Sequence, residues 1–475
     1  MKLWYALAAA LILTACGGGS RSGSGNGAVA PSPAPTLKFF AADDGSNGRQ
    51  LWKTDGTEAG TSLVKVINAG GSADIEVLGT LGAGAVFLAD DGIHGRELWV
   101  TDGTESGTAL LKDIHAGWDG NYVPSFVIAG NTLYFSAYDQ VNKQELWKTD
   151  GTTAGTVMVK DINVGPNSSN LTNLVALGSN VFFSARDEAS GYELWTSDGT
   201  ETGTVMVKDI APGVTSSQVS EMISVDGMLY FEAYDGVNGF ELWKSDGTAA
   251  GTEMVKDINP GAGHSEPEKL VAMGGHVYFY AAESIAQGRE LWRTDGTAAG
   301  TFLVKDINTQ VGTTSLNQSS SNLRFLHAVD DKLYFTARPV VGGTQELWVS
   351  DGSEAGTMSL FNADNVHYLM VVYDTVLFAG SDAVYGQEIW TTDGTLAGTV
   401  LLKDIEPGAA DSDFYSLGEG YLHENDAEPL IEISPGVALI VAYRSDIGSE
   451  LWKTDGTEAG TQLIKDINLD MADAF

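Results

Sequence analysis

Between residues 132 and 178 the chain alternates short apolar runs with turn sequences. Thr132-Leu133-Tyr134-Phe135-Ser136-Ala137 is β-branched and aromatic, which predicts a strand. Glu145 to Thr149 and Val157 to Ile162 predict two more, and Leu171 to Leu177 a fourth, ended by Gly178. Asp150-Gly151-Thr152-Thr153-Ala154-Gly155-Thr156 joins the second to the third, and its two glycines permit positive φ. Leu133, Phe135 and Ala137 point to one face and Tyr134 to the other, so apolar side chains occupy both faces. Such a sheet must be covered on both sides.

This unit recurs. Leu-Trp (Ile-Trp once) followed by Asp-Gly places tryptophan at 52, 99, 147, 195, 243, 292, 348, 390 and 452, with spacings of 47, 48, 48, 48, 49, 56, 42 and 62 residues. Four short strands in about 48 residues, repeated and two-sided, predict an all-β propeller of about nine four-stranded blades. Eight blades plus one extra unit is the alternative. The ninth blade needs a closing strand, either from 468–475 or from residues just before Leu37. Residues 36–475 form the propeller.

The turn aspartates Asp55, Asp102, Asp150, Asp198, Asp246, Asp295, Asp351, Asp393 and Asp455 are demanded by the unit, which assigns them to turn capping. A turn centred between Thr152 and Thr153 places Thr149 opposite Thr156, Trp147 opposite Met158 and Glu145 opposite Lys160. The expectation is a cross-strand Glu–Lys pair in most blades.

Glu97-Leu98-Trp99-Val100-Thr101-Asp102-Gly103-Thr104 and its counterparts resemble the ELWxxDGT repeat proteins of bacteria over residues 36–475. The resemblance implies a secreted or surface-anchored β-propeller and no particular chemistry. Gln50, Ser353, Phe361-Asn362 and Ile389 depart from the pattern.

The remaining features concern address and partner. Lys2 followed by the apolar run Leu3 to Leu13 predicts a signal peptide over 1–15. Leu13-Thr14-Ala15-Cys16 resembles a lipobox, which implies lipid attachment at Cys16, the chain's single cysteine. Several acyl chains anchor a protein durably to a membrane. Residues 16–35, rich in Gly, Ser and Pro, predict a tether. Gly17 in place of Asp resembles the outer-membrane sorting signal of Gram-negative lipoproteins, and the expected address is the cell envelope.

With 26 basic and 63 acidic residues the net charge is −37, which excludes a nucleic-acid partner and favours a soluble monomer. Insertions at 309–322 and 411–428 break the register. The second offers Asp411, Asp413, Glu424 and Asp426 as calcium ligands, since that cation takes six to eight oxygens. The spacing matches no EF-hand, and a solvated acidic loop is the competing reading. Neither a zinc-protease helix, a Walker loop nor a nucleophile elbow occurs.

The expected function is therefore a non-enzymatic binding or adhesion scaffold for a protein or polysaccharide, with calcium as a candidate cofactor. The alternatives are an envelope hydrolase or lyase with carboxylates at the channel mouth, and a structural coat or spacer. One criterion separates the first two. Acids, histidines or arginines converging from several blades at the mouth favour an enzyme; repeat residues and threonines there favour binding.

Overall fold

The computed structural model describes residues 37–475 except 83, 118–122, 124, 313–318, 362–365, 373–374, 413–430, 470–472 and 475. All nine units are blades of one propeller, so the eight-bladed alternative is excluded. They span 38–65, 76–112, 126–160, 172–208, 220–256, 268–305, 324–361, 367–403 and 431–465, numbered here blades 1 to 9. Strands within each blade pair antiparallel in chain order. Blades 2 to 9 have four, and blade 1 has three among the described residues. The first strands of neighbouring blades meet around the axis, Thr172–Leu177 against Ser220–Val225 for example, and so line the channel.

Each seam between blades is filled by the apolar faces read from the sequence. Phe135 pairs with Trp147 across the strands, and Phe40, Phe87, Phe183, Phe231, Phe279, Phe335 and Phe378 repeat its place. All eight phenylalanines are fully buried. The ring closes when Phe40 and Trp52 of blade 1 pack with Leu439, Leu451 and Ile464 of blade 9. The tail completes the closure with backbone bonds. Asp43 N donates to Ala474 O (2.8 Å) and Ala474 N to Ser449 O (3.1 Å), repeating the bridge that Ala73 makes between Arg49 and Asp90.

The hairpin register departs from expectation at one point. Trp147 pairs with Met158, and the Thr149 and Thr156 hydroxyls meet at 2.7 Å, as the turn chemistry requires. A β-bulge between Leu146 and Trp147 then sets Lys160 opposite Leu146 instead of Glu145. The expected Glu–Lys pair therefore does not form.

Glu145 is buried and accepts from the backbone N–H groups of Ile162 (2.9 Å) and Ser169 (3.0 Å), tying its strand to the connection that leaves the blade. Lys160 reaches the next blade, donating to Thr204 O at 2.9 Å. Its counterparts Lys112, Lys208, Lys256 and Lys465 lie over the next blade's tryptophan, 5.4–5.8 Å from the ring centre. Where the pattern puts Phe361 in place of the lysine, its ring packs on Trp390 at 4.7 Å instead. Gln50 likewise stands in for glutamate, its Oε1 accepting from Ile67 N and Asn68 N.

Candidate active site at the channel mouth

Antiparallel order places the start of every first and third strand on one face of the ring, and the Asp-Gly-Thr turns on the other. On the turn face, Asp150 Oδ1 accepts from the backbone N–H (2.9 Å) and the hydroxyl (2.7 Å) of Thr152. The hydroxyl bond holds its carboxyl below the ordinary range. Ser353 does the same for Asp351 at 2.8 and 2.6 Å, so the exchange of Thr for Ser leaves the turn intact.

The opposite face carries the channel mouth. Just before five of the first strands, Asp74, Asn170, Gln218, Glu266 and Asn322 adopt positive φ of 46–51°. Their turned backbone aims the entering chain at the axis. The first residues of the third strands reach back to this collar. Arg96 pairs with Asp74 (3.7 Å) and Glu76; Asn170 Nδ2 donates to the Tyr192 hydroxyl at 3.1 Å; Arg289 pairs with Glu266 and with Glu268 (3.5 Å). The collar is one repeated contact filled by different side chains.

One position departs further. The residue paired with the motif leucine or isoleucine is Ala41, Leu88, Ser136, Ser184, Tyr280, Thr336, Ala379 or Val441 in eight blades, and Glu232 in blade 5. Glu232 lies on Met228–Tyr234 and is partly buried at the seam with blade 6. The Ser220 hydroxyl donates to its Oε2 at 2.5 Å. Burial pushes its carboxyl up to about 8; the negative charges of Glu221 and Glu268 add to the rise and Arg289 opposes it. At neutral pH Glu232 is therefore largely a carboxylic acid that can give up a proton.

Its neighbours are held by partners of their own. Arg289 lies between Glu266 and Glu268 with a fifth of its side chain exposed (22%), and Lys269 N donates to Glu221 Oε2 at 2.8 Å across the blade seam. A protonated acid beside an ion-paired carboxylate is an arrangement for proton transfer.

The calcium expectation falls mostly outside the described residues, as Asp413, Glu424 and Asp426 do. Asp411 Oδ1 accepts from Gln387 N at 2.7 Å, the cap that Ser72, Ser168, Ser216, Ser320 and Asp473 supply to other third strands. Among the described residues no group of three or more His, Cys, Asp or Glu is arranged to hold a metal ion. Cys16 also lies outside them. Among the described residues no helix is long and apolar enough to cross a membrane.

The sequence reading passed over Glu232, although a signal was present. Tyr230-Phe231-Glu232-Ala233 stands where another unit has Tyr134-Phe135-Ser136-Ala137. The partners Glu268 and Arg289, by contrast, become neighbours only through blade stacking.

No protein-family model matches the chain, and no curated protein matches it. Among solved structures it is similar to a puromycin hydrolase (13% identity, TM-score 0.40), to prolyl endopeptidases (12%, 0.43) and to oligopeptidase B from Leishmania major (12%, 0.43). These alignments cover 78–79% of this chain and 54–58% of the others, so the chain spans a little over half the length of those proteins. Likeness at that level describes shape and carries nothing about the reaction. Within this chain, charged groups from blades 5 and 6 converge at the mouth. By the criterion set above, the expectation of a non-enzymatic scaffold is corrected.

Proposed function

We propose that the chain is a hydrolase working at the mouth of the propeller channel, with Glu232 as the proton donor. The observation that carries this reading is the convergence of Glu232 from blade 5 with Glu268 and Arg289 from blade 6, where no other blade places a carboxylate at the position of Glu232. The raised pKa keeps its proton available near neutrality, as general acid catalysis requires. Glu268, held in position by Arg289, supplies the carboxylate that activates water. The lipobox resemblance at Cys16 supports placing this enzyme on a membrane of the cell envelope, held by its tether.

The test is product release from a mixed panel of casein, laminarin and xylan by the full chain in detergent, compared with Glu232→Gln. The reading predicts release from at least one substrate and a loss of at least about 100-fold in the variant. Release that survives the substitution, or no release from any of the three, overturns it.

A further inference from the structure

Several features of the molecule belong to the scaffold. His327 is a neutral histidine in the seam between blades 7 and 8, its pKa lowered to about 4 by burial. The groove at Lys403, Arg444 and Trp452 is spanned by the cross-blade lysine, whose Nζ donates to Thr461 O at 2.5 Å. The seam of Glu232 carries something more.

Tyr234 follows Glu232 by two residues on the same strand, so both side chains leave one face of blade 5. Phe240 pairs with Tyr234 and shares that face. Their rings lie 5.4 Å apart, and the His264 ring lies 5.2 Å from Phe240 and 6.4 Å from Tyr234. The three planes are tilted by 34–37° from one another. Phe240 N donates to His264 Nδ1 at 3.0 Å, which fixes the imidazole and leaves its other nitrogen to carry the proton. Tyr234 N donates to Ser217 O, three residues before Ser220 and its bond to Glu232. A partly exposed aromatic cluster thus lies on the same face of blade 5 as the proton donor.

From this juxtaposition we infer that the substrate is a carbohydrate chain, with a sugar ring stacked on Phe240, Tyr234 and His264 and a glycosidic oxygen presented to Glu232. The inference rests on the hydrolytic reading above and deepens it. Pyranose rings present flat C–H faces that match such a surface, and their hydroxyl rims match the charged groups around it. Nothing in a peptide backbone calls for a cluster of three rings. Hydrolysis then follows the two-carboxylate scheme. Glu232 gives its proton to the glycosidic oxygen, which leaves with the electron pair of the broken C1–O bond. Water forms the new bond to C1 and passes its proton to Glu268. Return of that proton through solvent restores both groups, with one water consumed per bond cut.

The experiment uses the full chain in detergent with laminarin and xylan as glycan probes and casein as the peptide probe. Reducing ends and new amino termini are measured for wild type, Glu232→Gln, Phe240→Ala and Phe240→Tyr. The expected result is Glu232-dependent release of reducing ends from a glycan. Phe240→Ala should raise KM roughly tenfold with a smaller change in kcat, and Phe240→Tyr should restore KM. Melting temperatures identify a variant that simply fails to fold, in which case Phe240→Tyr alone is compared with wild type, at unchanged KM. Glu232-dependent cleavage of casein without reducing ends would overturn the carbohydrate inference and leave the hydrolase standing. Reducing-end release indifferent to Phe240→Ala would overturn the aromatic platform. Glu232-independent release, or none from any probe, would remove the hydrolytic reading and this inference together.

Discussion

The seam between blades 3 and 4 and the seam between blades 5 and 6 are built on the same scaffold and carry different chemistry. In both, a buried glutamate (Glu145, Glu241) collects backbone N–H groups from the outgoing connection, and a lysine (Lys160, Lys256) crosses to a carbonyl of the next blade. At the mouth the first seam has Ser136, Asn170, Thr172 and Tyr192. The second has Glu232, Glu266, Glu268 and Arg289 in the corresponding places. What the two share is fastening, and what differs is reactivity. A carboxylate repeated in nearly every blade is part of the frame; one confined to a single seam has been placed for another reason.

The comparison breaks most decisively at Glu232. Glu232→Ser gives the second seam the residue of the first. We expect hydrolytic turnover to fall by at least about 100-fold, with the melting temperature unchanged or raised because a desolvated acid has been removed. A steady-state assay alongside thermal unfolding checks both halves.

The frame glutamate should behave in the opposite way. Glu145→Ala leaves the N–H groups of Ile162 and Ser169 without their acceptor and should cost about 2–4 kcal/mol. Glu145→Gln should cost less than about 1 kcal/mol, since Gln50 already performs this task in blade 1. Denaturant unfolding of the pair measures the difference.

Acidity is common to frame and site, since Glu232 shares the upward shift of the frame glutamates. Burial pushes Glu145, Glu193, Glu241, Glu388 and Glu450 up to about 7 and Glu290 up to about 8, against an ordinary 4.5; bonds from backbone N–H groups only partly oppose it. The folded chain then holds more protons than the unfolded one between these values. Their stabilisation is complete below about pH 4.5 and is lost as pH rises through 7 to 8. The melting temperature should fall by at least about 5 °C between pH 5 and pH 8 at constant salt. A flat or rising profile would mean that the backbone donors win and these carboxylates stay ionised.

The smallest effect is expected at the cross-blade lysine. Lys160→Met removes the bond to Thr204 O at a half-exposed site and should cost about 1 kcal/mol by denaturant unfolding, with turnover unaffected.

Most of the architecture was legible because its determinants are local. The Asp-Gly-Thr turn, the two-sided strands and the leucine-tryptophan pair each act within one hairpin, and their repetition gave the blades and their number. The Glu145–Lys160 expectation failed for a local reason as well. One bulged residue shifts the register by one, and no side-chain pattern announces it. The candidate site was less legible because it spans a seam. Glu232 and Arg289 stand 57 positions apart, and only ring packing makes them neighbours. The insertions drew attention by breaking the period, whereas Glu232 keeps the period and changes only the chemistry.

The central claim is that the shared glutamates hold the ring together while the single one at the mouth does the work. Turnover and melting temperature measured together for wild type, Glu232→Gln and Glu145→Gln test it most directly. The account predicts that Glu232→Gln loses turnover and keeps its melting temperature, while Glu145→Gln keeps most of its turnover. Equal turnover in all three proteins, or loss in both variants alike, would contradict it.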